Sequence, residues 1–157
     1  MVRDHVHEYR ATIDWSGGAA GPVRDYRSYS REYRVAMDGK PDFRASADPH
    51  FRGDPALYNP EDMLLISLSA CHMLSYLALC ARANVEVRGY RDEAEGTMRM
   101  LDGALRFADV LLRPRVTVAP GTDHDKAKAL HGDAHHLCFI ANSVNFPVRN
   151  DPEIVEG

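Results

Sequence analysis

Three cysteines are the side chains of this sequence best suited to covalent chemistry, because a thiolate attacks electrophiles, binds metals and forms disulfides. Cys71 stands among small residues, Cys80 follows nine positions later, and Cys138 lies far downstream. No pair has the Cys-x-x-Cys spacing of a structural zinc site, and three cysteines are too few for a disulfide scaffold. Each is therefore interpreted either as a small buried residue or as a reactive thiol.

Helical periodicity separates the three thiols. Cys80 lies nine residues after Cys71, which at about 100° per residue places it on the opposite face of one helix. We expect Cys80 to be a small residue of the core. Cys138 lies on the apolar face of a second predicted helix, so Cys71 and Cys138 both point inward and their sulfurs can approach disulfide distance. Inert burial is the alternative for both.

A reactive Cys71 needs a neighbouring cation, because it lies about twelve positions into its helix, beyond the reach of the helix dipole. Arg31 is the first candidate, since strand alternation places its guanidinium among aromatic and apolar residues. The alternative is that Arg31 lies on an edge strand and reaches solvent along its stem. Arg52, in the loop before the helix, is the second candidate, and Arg27 is a weaker third.

Glu61 is a candidate for holding that arginine in place. It precedes Cys71 by ten residues, so the two backbones are about 15 Å apart on an unbroken helix. The ordinary interpretation of Glu61 is a carboxylate that stabilises the start of the helix. If it instead orients the arginine that activates Cys71, a second copy of the chain must supply it, which predicts a site at a dimer interface.

Histidines offer a second kind of site. His131 and His135 are four residues apart on a predicted helix and can bind a metal ion together with Cys138 or Cys71. The pair is a weak indication without a third ligand at a set spacing. His72 points about 100° away from Cys71, so we expect it to be packed rather than catalytic. The usual dinucleotide, Walker, serine-hydrolase and His-Glu-x-x-His motifs are absent from the sequence.

The composition is that of an ordinary globular protein. The chain has 157 residues, of which 45% are hydrophobic and 27% charged, and this length predicts a single domain over residues 1–157. A net charge of −4 without long runs of like charge argues against a nucleic-acid partner. The first ten residues carry charges and histidines where a secretion signal needs an apolar stretch, so we expect a cytoplasmic protein.

Strand signals come in hairpins rather than alternating singly with helices. Alternation predicts strands over residues 5–15 and 29–37, and Asp38-Gly39 predicts a tight turn into a short strand over 42–46. Further strands are predicted over residues 85–91, 93–101, 104–118 and 140–148, with a turn at Asp102-Gly103 and Pro114 at an edge or a bend.

Two helices complete the predicted elements. The first begins with Asn59 as a cap and Pro60 at the first helical position, and residues 63–81 carry no formal charge. Its serines, histidine and tyrosine make it too polar for a membrane span, so we expect a central helix packed on every side. Residues 121–123 open the second helix. This order of elements predicts an α+β fold.

Three segments together resemble the OsmC/Ohr family of organic-hydroperoxide-reducing proteins. They are Asn59-Pro60-Glu61-Asp62-Met63-Leu64, Ser69-Ala70-Cys71-His72-Met73, and the run from Ala134 to Ser143 that contains Cys138. The resemblance covers nearly the whole chain. It implies antiparallel strands with a long central helix and a second helix, in two intertwined chains whose central helices pack back to back.

The resemblance also implies a two-cysteine peroxidase. Cys71 matches the cysteine that attacks the peroxide, Cys138 the resolving cysteine and Glu61 the glutamate of the Asn-Pro-Glu motif, while Arg52 and Arg31 each resemble one family pattern for the activating arginine. The expected partners are a second copy of the chain, an organic hydroperoxide and a lipoyl-type or thioredoxin-like dithiol, with no membrane partner and no bound cofactor. The alternatives are a redox sensor or binding module of the same fold, and a His/Cys metal-binding protein.

Overall fold

The computed structural model of the protein describes residues 5–157, which divide into two compact units between Met63 and Leu64. Helices combine with antiparallel and mixed sheets, which confirms the predicted α+β class. The expected single domain over residues 1–157 includes residues 1–4, which lie outside the described residues. Single-domain organisation stays a prediction, and the two units are considered in turn.

The first unit contains a three-stranded antiparallel sheet. Its strands are β1 (Thr12–Asp14), β2 (Tyr33–Ala36) and β3 (Phe43–Ala45), in the order β1-β2-β3. The predicted turn at Asp38-Gly39 joins β2 to β3, and Gly39 has the positive φ of 72° that this tight turn requires. Short 3-10 turns occupy Ser16–Ala20 and Pro49–Phe51.

Both early strands are shorter than the alternation predicts. Residues 5–11 are irregular and exposed, and residues 29–32 precede β2 without being part of it. Residues 29–32 stay outside β2 because carbonyl groups of this loop accept hydrogen bonds from side chains instead of from a neighbouring strand. The Trp15 indole N–H donates to Ser30 O at 2.8 Å, and Arg31 donates to Tyr29 O at 2.5 Å.

The long helix α1 (Pro60–Arg82) begins where the sequence predicts. The Asp62 backbone N–H donates to the Asn59 side chain at 2.8 Å, and the Asn59 N–H donates back to the Asp62 carboxylate at 3.1 Å. This reciprocal cap satisfies two donors that a helix start leaves unpaired. It fixes the position along the chain at which α1 begins.

The second unit carries most of α1, the second helix and two small sheets. The remaining elements are β4 (Val87–Asp92), β5 (Glu95–Leu101), β6 (Ala104–Leu112), β7 (Pro114–Val118), α2 (His124–Leu137), β8 (Val148–Asn150) and β9 (Glu153–Glu156). One sheet has the order β4-β7-β9 and the other β5-β6-β8. The predicted turn at Asp102-Gly103 joins β5 to β6, with both residues at positive φ.

Two predicted strands of this unit are wrong. The predicted strand over 104–118 is two strands in different sheets, because Pro114 lacks the N–H that would continue the ladder and marks the point where the chain passes from β6 to β7. The predicted strand over 140–148 is largely a loop with a 3-10 turn at Ala141–Ser143. The chain then forms β8 and β9, which pair in parallel with β6 and β7.

The core of the second unit consists of two apolar clusters. One surrounds Tyr76 and Cys80 of α1. The other surrounds Leu68, which lies nearer to the start of the same helix. The first cluster also contains Val85, Val116, Val118, Ala127 and Ala134, and the second also contains Val110 and Leu112. Strands of both sheets and α2 thus pack against α1.

The composition of α1 also meets the criteria for a membrane span, with 23 residues and a mean hydropathy of 1.8 in its most apolar window. One such helix is a weak indication, because the central helix of a soluble domain has the same length and composition. Four of its residues are buried in the second unit, including the polar His72 and Tyr76, which both have hydrogen-bond partners. We interpret α1 as a core helix of the second unit, although the packing on every side expected for it is not found within this chain, where Ile66 and Leu74 are exposed.

Candidate functional site

The thiols of Cys71 and Cys138 are neighbours in the second unit, although 67 positions separate them in the chain. Cys71 is partly exposed near the middle of α1, whereas Cys138 follows α2 directly and is only 1% exposed. Both are free thiols. The two thiols are therefore close, as expected, although Cys138 lies just past the end of α2 instead of on its apolar face, and their catalytic roles stay predictions.

Cys138 is held in its neutral form. The pKa of its thiol is raised to about 11, chiefly by burial and also by the adjacent Cys71 thiol, against the opposing effect of the Ala141 backbone N–H. That N–H donates to the Cys138 sulfur at 3.4 Å. A thiol reacts mainly as thiolate, so Cys138 is protected from oxidants at neutral pH while it lies buried in this position.

A tight turn after α2 places Cys138. The helix ends at Leu137, and Cys138 adopts an extended backbone with φ −68° and ψ 108°. The chain then turns back, with the Asn142 N–H donating to Cys138 O at 3.0 Å and the Ser143 hydroxyl donating to Phe139 O at 2.7 Å. These local bonds fix the backbone that carries the sulfur.

On the other side, an aspartate holds the segment of α1 that carries Cys71. The Ser69 hydroxyl donates to Asp92 Oδ2 at 2.5 Å, and the Arg113 backbone N–H donates to Asp92 Oδ1 at 2.6 Å. Asp92 ends β4, so it links the helix to the strand layer two residues before Cys71. The sequence analysis missed Asp92, because Ser69 and Asp92 are 23 positions apart and no motif connects them.

Cys80 lies in a different environment from the other two thiols, as its helical face predicts. It is 1% exposed within the apolar cluster around Tyr76, and burial raises the pKa of its thiol. It shares no cluster with Cys138. Nothing in its surroundings favours reactivity.

The histidines form a buried pair instead of a metal site. His72 Nε2 and His131 Nδ1 are 2.9 Å apart, and each residue is 1% exposed, so the packed position expected for His72 is confirmed. The His135 ring lies against His136, with centroids 5.6 Å apart. Among residues 5–157, no three His, Cys, Asp or Glu side chains are grouped to hold a metal ion, so the site considered for His131 and His135 is not formed there.

Arg31 lies in the first unit, between two aromatic rings of its own loop. Its guanidinium carbon is 3.7 Å from the Tyr29 ring centroid and 4.8 Å from that of Tyr26, and it donates to the backbone carbonyls of both tyrosines. The guanidinium is thus partly desolvated by aromatic faces. Its expected place on a strand facing inward is wrong, because residue 31 precedes β2.

Arg52 and Glu61 also belong to the first unit. Arg52 ends the 3-10 turn at Pro49–Phe51 with φ 66°, and its Nη2 donates to Arg27 O at 3.4 Å. Glu61 lies in the first turn of α1, where its charge adds to burial in raising the pKa of Tyr33. Its Oε2 is buried and has no hydrogen-bond partner among residues 5–157. The roles of Arg31, Arg52 and Glu61 beside Cys71 stay predictions.

Comparison with known proteins identifies the fold and the family. Residues 53–152 match the family described as OsmC-like protein. An OsmC-like protein of unknown function from Vibrio cholerae is 31% identical, covers 94% of this chain and all of that one, and superposes with a TM-score of 0.86. An organic hydroperoxide resistance protein from Elizabethkingia anophelis has the same fold at 18% identity, covering 98% and 99% of the two chains with a TM-score of 0.70.

A curated relative matches over a shorter segment than the family model does. The uncharacterized protein YmaD of Bacillus subtilis is 28% identical over 85 residues, which are 54% of this chain and 54% of that protein. The match thus spans about half the length of the relative. The family match itself includes α1, α2, the strands β4 to β8 and the two cysteines 71 and 138. This chain belongs to the OsmC-like protein family.

Proposed function

We propose that this protein reduces organic hydroperoxides to alcohols by thiol chemistry, with Cys71 as the attacking thiol and Cys138 as the resolving thiol. The observation that carries the proposal is the contact between one partly exposed and one buried thiol in an OsmC-like fold. The name of the structural relative from Elizabethkingia anophelis supports the choice of organic hydroperoxides as the substrate class.

The different exposure of the two thiols supports the proposed roles. A peroxide must reach the attacking sulfur, and Cys71 is the more exposed of the two. Cys138 is 1% exposed, and burial holds it neutral by raising its pKa. Cys138 is therefore suited to wait for an oxidised Cys71 rather than to meet the peroxide itself.

The reaction balances with one peroxide and one external dithiol. The Cys71 sulfur gives an electron pair to the distal peroxide oxygen, the O–O bond breaks, and the alkoxide takes up a proton and leaves as alcohol. Cys138 then attacks the sulfenic acid, releasing water and forming the Cys71–Cys138 disulfide before over-oxidation occurs. A dithiol, lipoyl-type or thioredoxin-like, reduces this disulfide by exchange and becomes a disulfide itself. No bound cofactor takes part.

An arginine is proposed to stabilise the Cys71 thiolate and the charge that develops on the leaving oxygen. Arg31 and Arg52 are the candidates. Arg31 is held by carbonyl groups and aromatic rings and has no carboxylate among its hydrogen-bond partners in the described chain. The unpaired, buried Oε2 of Glu61 needs a donor, which supports its proposed role of holding an arginine.

A homodimer is proposed as the working form. In the second unit, α1 leaves large apolar side chains exposed on one side, with Leu74 63% and Ile66 50% exposed. Eight positions separate them, so they lie on the same side of the helix. An apolar helix face of this kind is typical of a surface that packs against a second copy. We place the protein in the cytoplasm, with no nucleic acid or membrane among its partners.

The proposal is tested by steady-state turnover. Cumene hydroperoxide should be consumed continuously in the presence of dihydrolipoamide, and Cys71→Ser should abolish this consumption. The second candidate function is a redox sensor, which the same contact between a partly exposed and a buried thiol can serve. A sensor would oxidise once and stop, so a single stoichiometric event without turnover would replace the enzyme proposal by this one.

A further inference from the structure

A pair of buried histidines links the two helices that carry the candidate thiols. His72 of α1 and His131 of α2 share a hydrogen bond between Nε2 and Nδ1 at 2.9 Å, and both side chains are 1% exposed. The His131 ring also stacks on Tyr76, with centroids 3.8 Å apart and planes 11° from parallel. Burial lowers the pKa of both histidines, so both rings are neutral at physiological pH.

The surroundings of His131 indicate which ring donates. Its Nε2 is buried and has no partner among residues 5–157. A buried N–H without an acceptor is rarer and more costly than a bare lone pair. His131 therefore carries its proton on Nδ1 and donates to His72 Nε2, and His72 carries its own proton on Nδ1.

The pair stands close in sequence to both thiols. His72 follows Cys71 directly, and Cys138 lies seven positions after His131, about two helical turns further. A second link, from Tyr76 Oη to Ala127 O at 3.1 Å, lies one turn along α1 and one turn back along α2. The two helices thus run antiparallel at this contact, and the hydrogen bond between the histidines is the link nearer to Cys71.

We propose that the His72–His131 pair is a positioning device that sets the separation of α1 and α2 and thereby favours closure of the Cys71–Cys138 disulfide. A disulfide forms only within a narrow range of Cα separations and dihedral angles, so a small shift between the helices hinders closure. The pair touches neither peroxide nor sulfur. This inference rests on the proposed function, because it requires Cys71 and Cys138 to form a disulfide.

The test is the thiol–disulfide equilibrium against dithiothreitol, measured by mass spectrometry of the trapped protein. His72→Met keeps a side chain of similar volume without the hydrogen bond, whereas the amide of His72→Gln overlaps the Nε2 position. We expect His72→Met to lower the equilibrium constant for disulfide formation about tenfold, and His72→Gln to stay within about twofold of the unaltered protein. His131→Leu and His131→Asn form a second matched pair with the same expectation.

If the His72–His131 pair only stabilises the fold, the experiment gives a different result. In that case the apolar variants lower the unfolding midpoint of the reduced protein but leave the thiol–disulfide equilibrium unchanged, which would overturn the proposal. If the apolar variants do not fold, the imidazole 15N resonances of the unaltered protein provide the test. The proposal expects a hydrogen-bonded neutral pair, with Nε2 of His131 bare, in both the dithiol and the disulfide forms, and loss of the bond in the disulfide form contradicts it.

Failure of the positioning role and failure of the proposed function are distinguishable. If the unaltered protein forms no Cys71–Cys138 disulfide in oxidised dithiothreitol, the proposed function fails and the positioning role fails with it. If the disulfide forms, and its equilibrium is equal in all four variants, only the positioning role fails.

Discussion

The Cys138 thiol lies beside the Cys71 thiol at the point where α2 ends, buried to 1% exposure while its neighbour is partly exposed. This asymmetry gives the two sulfurs different chemistry, because access to an oxidant and ionisation both depend on burial. The exposed thiol is suited to meet a peroxide, and the buried one to receive the oxidised product.

The three cysteines should respond differently to substitution. Cys71→Ser should abolish peroxide turnover, and Cys138→Ser should allow one oxidation event followed by loss of activity through over-oxidation of Cys71. Cys80→Ser serves as the control, because Cys80 lies in the apolar cluster around Tyr76 and should leave turnover nearly unchanged. Steady-state assays with cumene hydroperoxide measure all three, and a requirement for Cys80 would contradict the assignment of helical faces.

The stability of the reduced protein should fall at alkaline pH. Burial raises the pKa of Cys138 from 9.0 to about 11. Between these values the unfolded chain loses a proton that the folded chain keeps, so the free energy of unfolding falls as pH rises, by up to ~2 kcal/mol. Cys138→Ala lacks this contribution, whereas the tyrosines titrate in both proteins. Chemical denaturation from pH 9 toward 11 should show a steeper loss for the unaltered protein, and equal slopes would count against the neutral thiol.

Stability should also fall at acidic pH because of the histidine pair. Burial lowers the pKa of His131 to about 3, and burial likewise lowers that of His72, against the opposing charge of Asp92. As pH falls from 6.5 toward 3, the unfolded chain takes up protons that the folded chain does not, so the free energy of unfolding decreases. The slope approaches ~1.4 kcal/mol per pH unit for His131 in this window, and His72 adds to it in the same direction.

His131→Asn removes one of these two rings and keeps a polar partner for His72. Its free energy of unfolding, measured by urea denaturation, should depend less steeply on pH over the same range. A profile parallel to that of the unaltered protein would show that His131 is accessible to protons in the folded state.

The proposed dimer depends on the exposed side of α1. Leu74→Glu places a charge where a second copy would pack, and we expect the protein to become monomeric at micromolar concentration in sedimentation velocity. Ala129→Glu is the control, because Ala129 is exposed on α2, away from that face. If the unaltered protein sediments as a monomer, or Leu74→Glu as a dimer, this face of α1 is not the interface.

Features set by neighbouring residues could be predicted from the sequence. The reciprocal cap of Asn59 and Asp62 and the turns at Asp38-Gly39 and Asp102-Gly103 depend on a few adjacent residues, and the structure has all of them. In each case the residues that decide the structure lie within one element or one turn.

Other features could not be predicted from hydrophobic periodicity. Residues 140–148 alternate like a strand, but the Ser143 N–H bonds to Ile140 O and closes a 3-10 turn instead. Arg31 fits an alternating strand equally well, yet the tyrosines and carbonyls of its own loop hold it. His72 and His131 are 59 positions apart, so no local pattern reports their hydrogen bond. Hydrogen bonds within a loop outweigh periodicity in the first two cases, and a tertiary contact does so in the third.

The account depends most directly on which sulfurs join when the protein meets its substrate. Reduced protein treated with one equivalent of cumene hydroperoxide should lose two hydrogens, and peptide mapping by mass spectrometry should find Cys71 linked to Cys138 within one chain, with Cys80 still a free thiol. A disulfide that includes Cys80, or a Cys71 oxidised to the sulfinic acid beside an unreacted Cys138, would contradict it.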